Sequence, residues 1–190
     1  RAPKAVKAYA RKHPHRMGAW SADSKSHVAH MAAGDFFGSE QSATLAADGA
    51  LKIELVAADG TVTVLKDKVK VKAGEIVDAS AMSRKALAAF VAEQIADAKA
   101  QGVLFSLHLK ATMMKVSDPI MFGVVVNEFY KTALSKHAAV LDQIGFDANN
   151  GIGDLYARLG SLPADLQDAI KADLQAVYAD GTAVAMVNSD

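Results

Sequence analysis

Lys110 ends an apolar run, Val103 to Leu109 (VLFSLHL), and is followed by Ala111-Thr112-Met113-Met114-Lys115-Val116. Desolvating an ammonium group is costly, so a lysine in such a run needs a partner or an outlet to water. At the carboxyl end of a strand, just before a loop, it is placed to act on a ligand in the crevice of an α/β sheet. Burial there lowers a lysine pKa and makes the group a usable proton donor near neutral pH. The competing reading is a lysine whose head snorkels to water from the strand end. His108 is two residues away and so faces the same side of an extended chain. It reads either as part of that site or as a satisfied, half-buried strand histidine. His27 and His30 stand three apart, a spacing used by metal pairs on helices, but no cysteine or third ligand lies near them, which argues against zinc. His13 and His15 flank Pro14 and lack further ligands for the same reason.

Gly151-Ile152-Gly153-Asp154 resembles a phosphate-binding glycine loop only superficially. It lacks the third spaced glycine, no Walker lysine follows, and a helix-rich stretch precedes it where a strand is required. A turn over Asn149-Asn150-Gly151 explains it better. There is no Gly-x-Ser-x-Gly elbow and no carboxylate pair at a glycosidase spacing. The absence of cysteine removes disulfides, thiolate metal sites and cysteine nucleophiles.

The elements that must position Lys110 divide the chain in two. A short basic helix is expected over 4–12, with Pro3 at its start and Pro14 ending it. From Lys25 to Ser80 the pattern is β. Leu51, Ile53 and Leu55 alternate with Lys52 and Glu54, and Asp59-Gly60 predicts a two-residue type I′ hairpin turn. Thr61 to Leu65 is the return strand, and Lys66 to Lys72 (KDKVKVK) reads as a further, half-exposed edge strand. After Ser83 the rhythm becomes helical. Ser83 caps, Leu87, Phe90, Val91 and Ile95 follow at i, i+3, i+4 spacing, and Gly102 closes the helix. Val103 to Leu109 is a buried strand by composition. Asp118 caps the next helix with Pro119 at its first position, and that helix runs to about Leu141 with a break near Ser135. Two more helices start near Gly153 and Leu162-Pro163, and Ala183 to Val187 is a strand. The fold class is α/β (α+β mixed), with a β-rich N-terminal half carrying hairpins and a helix-rich C-terminal half.

The chain has 190 residues, 21 Lys plus Arg and 21 Asp plus Glu, so its net charge is zero. That balance argues against a dedicated nucleic-acid binder, despite six Lys or Arg in the first 16 residues. No apolar run approaches the roughly 20 residues of a membrane helix. The basic N-terminus has no apolar segment of a secretory signal, so a cytoplasmic location without a membrane partner is expected. The chain begins at Arg1, without a Met, and closes at Asp190 after an apolar run, which reads as a piece of a longer chain.

Three stretches together carry a family likeness. His13-Pro14-His15-Arg16-Met17-Gly18-Ala19-Trp20-Ser21-Ala22-Asp23-Ser24-Lys25-Ser26-His27-Val28-Ala29-His30-Met31 is the first. The second runs from Leu107-His108-Leu109-Lys110-Ala111-Thr112-Met113-Met114 through Ser117-Asp118-Pro119 to Gly123. The third is Ile144-Gly145-Phe146-Asp147-Ala148-Asn149-Asn150-Gly151-Ile152-Gly153-Asp154-Leu155-Tyr156-Ala157-Arg158. They resemble the monomeric NADP-dependent isocitrate dehydrogenases of bacteria, and the likeness covers the chain from end to end. Val124 stands where relatives carry a polar residue or histidine.

The resemblance implies the following. Residues 1–190 are a single domain or half-domain, the first half of the second, inserted domain of a much longer enzyme. That enzyme oxidises isocitrate with NADP and a Mg or Mn ion and decarboxylates the product to 2-oxoglutarate. The family's catalytic lysine falls on Lys110, helping to protonate the enol left by decarboxylation, alongside a tyrosine beyond this chain. An arginine of the substrate site lies just before Arg1. The resemblance places no cofactor-binding and no metal residues in this chain, so neither NADP nor metal is expected to bind it alone. Its partners are isocitrate, within the full enzyme, and the remainder of the enzyme chain. A piece of this kind is expected to be inactive by itself. The alternative reading is a non-catalytic module that self-associates or binds a partner, because half of a pseudo-symmetric domain exposes an apolar face. A homodimer of the fragment is the form this takes.

Overall fold

The computed structural model describes residues 2–15, 18–109 and 114–188. It opens with α1 (Lys4–Lys12), whose last turn carries Arg11 and Lys12 where the helix dipole favours cations. Beyond its end, the His13 ring stacks on Tyr9 with centroids 4.2 Å apart. No residue of α1 is buried. An irregular segment then leads to the single turn α2 (Phe36–Ser39), capped by Asp35, which accepts from the Gly38 amide.

Four strands follow as one nested antiparallel arm. β1 (Gln41–Thr44) pairs with β4 (Ile76–Ala79) at the base, and β2 (Gly49–Val56) pairs with β3 (Val62–Val71) beyond it. Two expectations change here. The hairpin closes on the Ala57 amide donating to the Thr61 carbonyl, with Gly60 N–H donating to Ala57 O. Only Gly60 has positive φ, at 85°. The turn is therefore a three-residue loop with glycine in the left-handed position, not a two-residue type I′ turn, which needs positive φ at both central residues. The segments 61–65 and 66–72 also merge into the single strand β3. No turn residue separates Leu65 from Lys66, and the change of apolar phase between them is absorbed by register shifts around Ile53. Ten residues of β3 thus face eight of β2.

The second half is a helical body around a small parallel sheet. α3 (Arg84–Gln101) is capped by Ser83, which accepts from the Ala86 amide, and stops at Gly102. β5 (Phe105–Leu109) and β6 (Val184–Asn188) run parallel, with Phe105 opposite Val184 and Leu109 opposite Asn188. Between them lie α4 (Ser117–Phe129), α5 (Lys131–Lys136), α6 (Ala138–Gln143), α7 (Ile152–Leu159) and α8 (Ala164–Asp180). The helix expected from Asp118 to Leu141 is therefore three, interrupted at His137, close to the break expected near Ser135, and also at Tyr130. α4 also starts two residues earlier than a cap at Asp118 implied. Val116 is its boundary residue, and Asp118 sits buried in the first turn.

The core is confined to this body. Every buried apolar side chain among the described residues lies between Leu87 and Leu174, and Leu155 and Leu174 are fully enclosed. Burying each such leucine contributes about 1.5–3 kcal/mol. α4 carries Phe122, Val126 and Phe129 into the main cluster and Val124 and Val125 into a second one shared with Leu87 and Val91 of α3. Gly123 sits mid-helix for a packing reason. The side chain of Asn149, from the single 3₁₀ turn Ala148–Asn150, occupies the space a Cβ would fill. Among the described residues, no helix is long and apolar enough to cross a membrane.

Candidate functional site

β5 was expected to be buried on both faces. Its residues alternate instead. Phe105, Leu107 and Leu109 point toward the core, while Ser106 and His108 are exposed. The His108 Nε2 lies 2.8 Å from Ser106 Oγ, so the histidine is satisfied on its own strand. The start of the sheet is fixed by two bonds: Thr182 Oγ1 donates to the Val103 carbonyl at 2.6 Å and the Phe105 amide to Ala183 O at 2.8 Å. β5 and β6 share their direction, so their carboxyl ends lie on one edge, the edge at which α/β sheets present ligand crevices. Position 110 follows Leu109 directly at that edge. Lys110 itself, and so its side relative to His108, lies outside the described residues. The next described stretch places buried Asp118 in the first turn of α4, with Ser117 Oγ 3.4 Å from its Oδ1.

The other histidines do not converge. His27 Nδ1 takes the Lys25 carbonyl at 2.8 Å, and its Nε2 is 4.0 Å from Asp97 Oδ2. His30 Nδ1 is 3.3 Å from the carbonyl of Met31. Lys25 Nζ donates to Gln101 O at 3.0 Å, a cation at the carboxyl end of α3. Among the described residues, no three His, Asp or Glu side chains gather as a metal-ligand set.

The Gly151-x-Gly153 segment is braced as a turn. Asp147 Oδ1 accepts from the Asn149 amide, and Asp154 Oδ2 accepts both from the Asp147 amide at 3.0 Å and from Arg158 Nε at 2.7 Å. Arg158 Nη1 reaches the Ile144 carbonyl at 3.0 Å. Its guanidinium holds the Asp154 carboxyl below the usual carboxylate range. The stretch from Ile144 to Arg158 therefore ties itself together with its own acids and base. A cavity of about 570 Å³ opens beside it, lined by Arg84 together with Asp142 and Asp147, so its one cation faces two acids.

Sequence reasoning missed two polar pairings between distant helices. Tyr130 and Tyr178 share a hydroxyl–hydroxyl hydrogen bond of 2.6 Å, and burial followed by that bond pushes the Tyr130 phenol far above its ordinary value. His137, at the α5–α6 junction, places Nε2 2.6 Å from Asp173 Oδ2 on α8, and Lys136 Nζ approaches the same oxygen at 2.8 Å. Lys136 first, then His137, holds the Asp173 carboxyl below its ordinary range. Tyrosine and histidine at helix breaks were the only local signal. Their partners lie 48 and 36 residues away, beyond any periodicity.

Over residues 1–190 the chain matches the profile of the family described as monomeric isocitrate dehydrogenase. The chain belongs to that family. It is 68% identical over its full length to an isocitrate dehydrogenase [NADP] of Azotobacter vinelandii, of which it covers 26%. It is 58% identical to isocitrate dehydrogenase [NADP] 2 of Colwellia maris, again covering 26%. To isocitrate dehydrogenase [NADP] 2 of Mycobacterium tuberculosis it is 51% identical, covering 25%. The chain thus spans about a quarter of the length of the curated relatives it matches. The motif from Leu107 to Gly123 includes the end of β5 and the first half of α4. The motif from Ile144 to Arg158 corresponds to the braced loop and α7.

Proposed function

We propose that this chain is one portion of an NADP-dependent isocitrate dehydrogenase, the first half of its second domain, and that Lys110 is its catalytic lysine. The observation that carries the reading is family membership over all 190 residues at a quarter of the relatives' length. The position of residue 110, next to the shared carboxyl edge of β5 and β6, supports it. On this reading the apolar stem of Lys110 leaves β5 and its ammonium meets the anionic substrate. The nearby carboxylates favour the charged form and oppose the desolvation shift. After carbon dioxide leaves isocitrate's oxidised form, the enol carbon takes up a proton. Lys110 helps deliver it, together with a tyrosine elsewhere in the enzyme. Among the described residues no three His, Asp or Glu side chains gather as a metal-ligand set. On the family resemblance NADP and the Mg or Mn ion are held by the rest of the enzyme, and these residues route no step through either. The enzyme works in the cytoplasm.

In the full-length enzyme, Lys110→Ala lowers turnover by about 10²–10⁴-fold, the usual worth of a general acid. Lys110→Arg keeps the charge and still loses turnover, because a guanidinium does not give up its proton. Near-normal turnover in Lys110→Ala sinks the assignment. The 190-residue chain, given isocitrate, NADP and Mn, yields no NADPH absorbance. Measurable turnover by it would overturn the view that it is a portion of the catalytic machinery.

A further inference from the structure

α4 and the 3₁₀ turn Ala148–Asn150 interlock at two glycines, each admitting a side chain from the other element. At Gly123 of α4, the Asn149 side chain occupies the space of a Cβ, and the Asn149 amide nitrogen lies 3.0 Å from the same point. At Gly151, just past the turn, a Cβ would lie 3.2 Å from Cε1 of Phe122. Gly151 is also in the left-handed region, at φ 80°, where a side chain is strained. Phe122 and Gly123 are neighbours on α4, so one turn of that helix both gives and receives a side chain. Phe122, Gly123 and Gly151 are all buried. Opposed contacts of this kind leave α4 little room to slide or roll, because close-packed interiors hardly compress and transmit strain.

The turn is held from behind as well. Asp147 Oδ1 accepts from the Asn149 amide at 2.9 Å, and the Gly151 amide donates to Ala148 O at 2.9 Å. Asp154 Oδ2 accepts from the Asp147 amide at 3.0 Å and from Arg158 Nε at 2.7 Å. Asn149 is therefore presented to α4 by a braced segment that runs back into α7. The other end of α4 bears on position 110. Ser117, the first residue of α4, follows that position after a short connection, and Asp118 beside it is buried. Each residue of a chain spans at most about 3.3–3.6 Å, so a short connection ties position 110 to wherever α4 begins. Its other tie is Leu109, the last residue of β5.

We propose that Asn149 is a positioning residue for proton delivery. By filling the notch at Gly123 it holds α4, and through α4 the carboxyl-side anchor of Lys110. The inference rests on the reading of Lys110 as the catalytic lysine. Asn149 acts through the helix and needs no contact with substrate. Misplacing a reacting group by about 1 Å can cost about 10²-fold in rate. An emptied notch therefore registers in turnover before it registers in substrate binding.

The test is steady-state kinetics of the full-length enzyme in H2O and in D2O, at a temperature where melts show every variant folded. Asn149→Ala is expected to lower kcat by about tenfold or more, with KM for isocitrate changed by no more than about twofold. Its solvent deuterium isotope effect on kcat is expected to exceed the parent's, because a misaligned donor makes protonation of the enol the slow step. Gly123→Ala strains the same contact from the other side and is expected to do likewise. Gly123→Ala/Asn149→Ala regains part of both losses, since the new Cβ sits in the emptied notch. Leu174→Ala, a cavity in α8, controls for general loosening and is expected to keep the parental kcat and isotope effect. Parental kcat in Asn149→Ala, an unchanged isotope effect, or the same changes in Leu174→Ala would each overturn the proposal while Lys110→Ala stays impaired. Near-normal turnover in Lys110→Ala is the separate failure of the catalytic reading, and it removes this inference too.

Discussion

Residues 41–79 and residues 84–188 both carry alternating or periodic apolar side chains, yet only the second set encloses them. In the arm, Val69 and Val71 reach no more than partial burial, and Leu55 stays half exposed. In the body, Leu155, Leu159, Ile170 and Leu174 are essentially sealed. The difference is one of layers. An amphipathic helix finds its cover in the next helix along the chain, because short connections keep α4 to α8 in contact around β5 and β6. A two-stranded ribbon has two faces and brings no cover of its own. Periodicity therefore marks which side of an element is apolar, but whether that side is buried depends on what lies across from it.

Substitutions test this contrast most sharply where the body is sealed. Leu174→Ala is expected to cost about 2–5 kcal/mol in a denaturant melt, since the cavity adds to the lost transfer energy. Next comes Gly123→Ala, whose new Cβ collides with Asn149 Oδ1. A cost of about 1–3 kcal/mol is expected, as for other overpacked sites, and pairing it with Asn149→Ala recovers part of that loss. If Gly123→Ala melts like the parent, the close approach of α4 to the 3₁₀ turn is wrong.

Acid acts with opposite sign on particular carboxyls of the two regions. Asp154 and Asp173 in the body have carboxyls held below the ordinary range by Arg158 and by Lys136 with His137. Groups with lowered folded values stabilise above their unfolded value of about 3.9 and lose that contribution as pH falls through the folded value. At the base of the arm the opposite holds. Glu40 shares a hydrogen bond with Asp78, and that bond, then repulsion between the two acids, raises its carboxyl above the ordinary range. Its contribution is complete in acid and fades as pH rises through the raised value. Melts in the acid range should show Asp154→Asn and Asp173→Asn flattening the loss of stability, and Glu40→Gln acting mainly at neutral pH. Equal pH profiles for all three variants would contradict the charge geometry.

The smallest effect belongs to the arm's exposed face. Leu55→Ala should change the stability of the monomeric chain by no more than about 0.5 kcal/mol. A loss as large as that of Leu174→Ala would show that the arm is covered.

Local chemistry was legible where it is self-contained. The span of α1, the Ser83 cap and the Gly102 stop of α3 follow from capping and breaker residues next to one another. β5 was legible as a strand, and so was the edge at which Lys110 is proposed to act, because an apolar run ending in a lysine is a local pattern. The three-way division of the helix after Val116 was legible only in part, through the break expected near Ser135. Tyr130 and His137 break it while bonding to Tyr178 and Asp173, and those contacts exist only once α8 has packed. The union of two predicted strands into β3 was not legible, since its bulges depend on the partner strand and not on the segment itself.

The chain's single tryptophan, Trp20, is 75% exposed and sits in the irregular segment before the arm. Its indole is already in water while the molecule is native. Tryptophan emission from this chain should therefore be red-shifted from the start and change little as the body unfolds. The buried chromophore is Tyr130, which touches the more exposed Tyr178 edge to face 5.7 Å away, so near-ultraviolet dichroism from tyrosine is the optical signal that follows the core.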